Sequence, residues 1–171
     1  MKLRFLSLVL VLLSTCPSWA GSANLNDLAA FDRLKSLAGN WENTTAKGAK
    51  NRVTYEVVSG GSAVVERFEG EELGPGNAMI TVYYLDGNRL QLTHYCMAKN
   101  QPHMRAEAFN PATGNLHFAF VNATGLASAD AGHMHNVDFH FIDADHFSAD
   151  WQFYEAGKPK FNEAVQYTRV K

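Results

Sequence analysis

The sequence predicts a mainly β protein: a ten-stranded antiparallel up-and-down barrel behind one N-terminal helix. Three observations predict it. About ten short segments from residue 40 onward alternate apolar and polar residues, turns rich in Gly, Asn or Asp separate nearly all of them, and one amphipathic stretch precedes them. No segment carries a catalytic signature.

The chain opens with a targeting pattern. Lys2 and Arg4 give a positive start, Leu6 to Leu13 an apolar core, and Ser18-Trp19-Ala20 a small-x-small cleavage site. The apolar run is too short to span a bilayer. Residues 1–20 are therefore expected to be a signal peptide and 21–171 a single exported domain, periplasmic or secreted. A lipoprotein signal ending at Cys16 fits less well, because Thr15 precedes the cysteine where such signals resemble Leu-Ala-Gly-Cys.

Cleavage would remove Lys2 and Arg4 and no acid, taking the formal charge from −2 to −4. That leaves no electrostatic footprint for nucleic acid or an anionic membrane. A mature chain of about 150 residues is one domain with room for a core. It would retain Cys96 alone, so no intrachain disulfide can form and stability must come from packing. Asn43-Thr44-Thr45 and Asn122-Ala123-Thr124 match the glycosylation sequon. The short leader and missing disulfides favour a bacterial periplasm, where sequons carry no meaning.

The helix is expected from a cap at Asn24 or Asn26 to about Leu37. Leu25, Leu28, Phe31, Leu34 and Leu37 recur at helical spacing, Asp27 sits in the first turn, and Gly39 follows the end. A stripe of that kind faces a core, so the helix should plug or lid the sheet. From Trp41 the period switches to 2. Strands are expected near 40–45, 50–58, 62–69, 78–85, 89–97, 103–109, 115–122, 133–142, 146–154 and 160–170. Turns at Asp86-Gly87-Asn88, 110–114, Asp143-Ala144-Asp145 and Ala156-Gly157 are short enough to force antiparallel neighbours. Such a meander closes most readily into a barrel, which removes its edges; a β-sandwich is the alternative. Two longer links, 70–77 and 124–132, could rim an opening.

Alternation assigns faces. Leu90, Leu92, His94 and Cys96 share one face of their strand, and Phe147, Ala149, Trp151 and Phe153 share one of theirs. Val64, Glu66 and Phe68 place a carboxylate on an otherwise apolar face. Val137, Phe139 and Phe141 carry His133 and His135 inward with them by period 2. The expected ligand-binding set in or near one lumen is thus Glu66, His94, Cys96, His133, His135 and Trp151.

His133-Met134-His135 is the sharpest local pattern, since imidazoles at i and i+2 on one strand face can chelate a metal. A third ligand from His94 or Cys96, or the Glu66 carboxylate, would complete a site, but a lone His-x-His among seven histidines is weak. Cys96 beside His94 could form a thiolate–imidazole pair, but no third orienting residue is evident, so a buried structural thiol is expected.

Gly39-Asn40-Trp41, at the junction of helix and first strand, resembles the Gly-x-Trp motif of lipocalins and related calycins. In that superfamily the Trp packs at the barrel base beneath a late-strand Arg or Lys, a role that Arg169 of Tyr167-Thr168-Arg169 could fill. The mature chain also resembles a bacterial group of exported lipocalin-like domains of unknown function. That likeness rests on the leading helix, Gly-x-Trp, Thr93-His94-Tyr95-Cys96 and Asn100-Gln101-Pro102. Ten strands are closer to fatty-acid-binding proteins and nitrobindin-type haem barrels than to eight-stranded lipocalins. The glycine-rich motif of the haem barrels is replaced by Glu42-Asn43-Thr44-Thr45. The resemblance implies a closed barrel around a small ligand cavity, with Gly39, Trp41 and Arg169 structural.

The expected function is binding of a small apolar or amphipathic molecule in the lumen. Its identity and any cofactor are unspecified. A metal- or haem-binding barrel using His133 and His135, and a structural or partner-binding envelope protein, are the alternatives. An enzyme is least expected, because no acid–base pair with an orienting group is legible.

Overall fold

A computed structural model describes residues 25–45 and 47–171. The leader at 1–20, Cys16 and the Asn24 cap lie outside the described residues. The helix α1 (Leu25–Lys35) is followed by ten strands: β1 (Gly39–Thr44), β2 (Lys50–Val58), β3 (Ala63–Gly70), β4 (Met79–Asp86), β5 (Arg89–Tyr95), β6 (Gln101–Asn110), β7 (Asn115–Thr124), β8 (His133–Phe141), β9 (His146–Glu155) and β10 (Lys158–Arg169). Each strand pairs antiparallel with its sequence neighbours, and β1 meets β10, so the sheet closes into a barrel. None of the described helices is long and apolar enough to cross a membrane.

The helix shuts one end of the barrel. Ala30, Phe31, Leu34 and Leu37 are buried on its inner side. Buried Asp27 accepts from the Leu90 amide and the Arg89 Nε, both at 3.1 Å, which ties α1 to the start of β5. The helix stops two residues before Leu37. Ser36, Leu37 and Ala38 bond back three residues in tightened turns, and the Ser36 hydroxyl donates to the Arg33 carbonyl at 2.6 Å.

Behind the helix the lumen is full. Trp41, Tyr83, Phe118, Phe139 and Phe147 are wholly buried, with Leu34, Leu90, Leu92 and Met104 between them. Edge-on contacts of Trp41 and Tyr55 with Phe147 (4.8 and 5.8 Å between centroids) lock the aromatics together.

The barrel is weakly closed at one seam. Strands β1 and β10 share two rungs, Trp41–Arg169 and Glu42–Thr168, while β9 and β10 pair over nearly the whole length of β10. Away from α1 the two sides of the seam part.

Candidate functional site

Four strands put one side chain each into a single row. The register pairs Tyr55 with Glu66, Glu66 with Thr81, and Thr81 with His94, crossing β2, β3, β4 and β5. All four are buried. Tyr83, two residues along β4, joins from the next row. Glu66 Oε2 accepts the Tyr83 hydroxyl at 2.5 Å and the Tyr55 hydroxyl at 2.9 Å. Glu66 Oε1 accepts the Thr81 hydroxyl at 3.4 Å, and Thr81 Oγ1 lies 2.9 Å from His94 Nδ1.

These contacts orient the histidine. Glu66 accepts from three hydroxyls, those of Tyr83, Tyr55 and Thr81, an arrangement that suits a carboxylate. The Thr81 proton then goes to that charge, and Thr81 Oγ1 accepts from His94 Nδ1–H. The other ring nitrogen, Nε2, is buried and has no hydrogen-bond partner. Under this tautomer it is a bare acceptor, which costs less to bury than an orphaned N–H. Burial holds the His94 imidazole down at about 4 and neutral. Burial pushes Glu66 up, against the three hydroxyls that pull it down, and pushes Tyr55 and Tyr83 up as well.

Trp151 faces this row from the opposite wall, its ring centroid 4.8 Å from that of His94. Beside the two rings lies a cavity of about 30 Å³, room for one or two waters. Val53, Tyr55, Glu66, Phe68, Met79 and His94 line it on one side, and Met134, Ala149, Trp151, Glu163, Val165 and Tyr167 on the other. These two groups flank the seam. Glu163 is exposed, so the cavity reaches the surface there. The small ligand cavity expected from the sequence is reduced to this space, because bulky aromatics fill the half of the lumen nearer α1.

The remaining expected site residues lie elsewhere. Strand β8 bulges at His135: Met134 pairs with Phe153 and Asn136 with Gln152, leaving His135 without a rung. One extra residue reverses the alternation. Met134 therefore takes the lumen position expected for its neighbours, and neither His133 nor His135 lines the cavity. Instead His135 stacks between Phe120 (4.6 Å) and Tyr154 (3.9 Å). His133 Nδ1–H donates to the Ala131 carbonyl at 2.9 Å, so its Nε2 accepts from His135 Nδ1–H at 3.2 Å. Among the described residues no group of three or more His, Cys, Asp or Glu converges on a metal position.

Cys96 also misses the cavity. The strand expected to reach residue 97 ends at Tyr95, where Cys96 opens a turn closed by its amide on the Asn100 carbonyl (3.1 Å). The thiol is half-buried rather than buried, and partial desolvation pushes it up, which keeps it protonated. The residues that sequence reasoning missed are Tyr55, Thr81, Tyr83 and Glu163.

Two larger depressions lie outside the wall. One of about 480 Å³ runs along Lys50, Arg67, Glu69 and residues 70–78, and one of about 690 Å³ lies between α1 and the β6–β7 turn. In the first, Arg67 is paired to Glu69 at 2.9 Å and the Lys50 amide donates to Glu71 at 2.8 Å. The buried orphan among lining residues belongs to the lumen cavity alone, within the described residues.

Comparison with protein-family models and with curated proteins finds no match. Among solved structures, a protein of unknown function from the DUF3598 family of Nostoc punctiforme is similar. It is 10% identical over 82% of this chain and 99% of that one, at a TM-score of 0.25. That likeness says nothing of function.

Proposed function

We propose that this protein is an exported, lipocalin-like barrel that binds a small amphipathic molecule through the seam between β1–β2 and β10. The polar head enters the Glu66–His94–Trp151 cavity, and the apolar remainder lies along Phe68, Met79 and Val165. One observation carries the reading: a buried row of polar groups ends at His94, whose Nε2 has no hydrogen-bond partner and which lines a cavity with mostly apolar walls. Apolar walls with a few convergent polar groups give affinity by burial and orientation by hydrogen bonding. The small volume suits a head group, and Met79 and Met134, unbranched and adaptable, can make way for more. Export rests on the leader pattern at 1–20, and the lipocalin-like type on Gly39, Trp41 and Arg169.

The probe is 1-hexanol, titrated into isotopically labelled protein while the His94 imidazole and Trp151 indole signals are followed. Saturable shifts of both are expected, and Val165→Trp, which plugs the mouth, should abolish them. Absence of a saturable shift at either residue would remove the reading.

A further inference from the structure

We infer that the cavity takes an organic amine in its ammonium form, with an N–H directed at His94 Nε2 and the carboxylates of Glu66 and Glu163 beside it. This rests on the proposed binding role of the cavity and specifies the charge of its occupant.

Three independent features converge. The first is the acceptor. Thr81 holds the Nδ1 proton of His94, leaving a lone pair on Nε2 with no donor to meet it. The second is charge. The ionisable groups lining the cavity are Tyr55, Glu66, His94, Glu163 and Tyr167, and no Lys or Arg is among them. Glu66 is stabilised by three hydroxyls yet faces no cation. Glu163 follows Trp151 across the β9–β10 register, on the inward side shared with Val165 and Tyr167. Burial and the nearby charge of Glu72 push its carboxyl up, as expected for acids gathered without a counter-ion. The third is the wall. The Trp151 ring beside His94 presents an aromatic surface of the kind on which ammonium groups rest.

An anion fails on the same features. Its charge would meet two carboxylates, and its oxygens offer no proton to His94. A neutral alcohol satisfies the acceptor and leaves the charge unanswered. The order of preference should therefore be ammonium, alcohol, carboxylate.

Hexylammonium, 1-hexanol and hexanoate share one chain and differ in the head alone. Titrated at pH 8 and read at the His94 and Trp151 signals, hexylammonium should bind at least about tenfold more tightly than hexanoate, with 1-hexanol between them. Glu163→Gln, at an exposed position, should narrow the hexylammonium advantage over 1-hexanol. Hexanoate binding as tightly as hexylammonium, or a ratio unmoved by Glu163→Gln, would overturn the inference while 1-hexanol binding still upholds the cavity. Failure of all three probes to saturate would overturn both.

Discussion

Arg169 lays its guanidinium over the Trp41 ring, with Cζ 4.1 Å from the ring centroid, at the one place where the barrel seam is paired. Its three nitrogens donate to the carbonyls of Ala144, Ala38 and Ser36 at 2.9–3.0 Å, and Trp41 Nε1 donates to the Leu37 carbonyl at 2.7 Å. One side chain thus pins the end of α1, the start of β1 and the β8–β9 turn. Gly39 is needed for this: its φ is +127°, and a Cβ there would lie 3.0 Å from Arg169 Nη1.

Removing the ring should loosen the seam. Trp41→Ala is expected to cost about 3–5 kcal/mol, because the side chain is wholly buried. Urea unfolding of the two proteins measures it. A loss below about 1 kcal/mol would mean that the seam does not depend on this contact.

The buried imidazole should make stability depend on acid. His94 is held at about 4 in the folded protein against an ordinary 6.5. The unfolded chain therefore binds the proton more readily, and the stability is present above pH 6.5 and lost as pH falls toward 4. The full effect is about 3 kcal/mol. Glu66, pushed up by burial, acts oppositely, its contribution being present at low pH and lost as pH rises through its raised value. The difference between the wild type and His94→Gln isolates the histidine. It should shrink between pH 6.5 and 4, and a constant difference would contradict the assignment.

The β9–β10 hairpin carries a correctable strain. Ala156 sits at φ +51° ahead of Gly157 at +69°, the left-handed pair of a two-residue turn that favours Asn-Gly. A left-handed alanine is disfavoured by about 1–2 kcal/mol. Ala156→Asn should therefore raise stability by about 0.5–1 kcal/mol, read as a higher unfolding midpoint. A lowered midpoint would show that the turn is held by other contacts, such as the Ala156 amide on the Asp130 carbonyl at 3.0 Å.

Much of the barrel was legible because period-2 alternation and short turns are local signals. All ten strands and the helix fall where the pattern places them, within a few residues. Inward Glu66, His94 and Trp151 followed from alternation in single strands. Their row did not, because height depends on register across hairpins. Even so, the two-residue Gly87-Asn88 turn puts Asp86 opposite Arg89, and counting back from it sets Thr81 opposite His94. That signal was in the sequence unused. The bulge at His135 was not, since nothing in His-Met-His marks an extra residue. Glu163 was hidden differently: a carboxylate on an inward face reads as an exposed position until the open seam explains it.

The proposed binding of a small molecule places it in the seam cavity rather than elsewhere on the barrel. Intermolecular nuclear Overhauser effects from the chain protons of bound 1-hexanol locate it directly. Contacts with Trp151, Met79 and Val165 are expected, and none with Phe141 or Phe109 in the groove beside α1. Contacts confined to that groove, or none at a concentration that saturates the His94 signal, would contradict it.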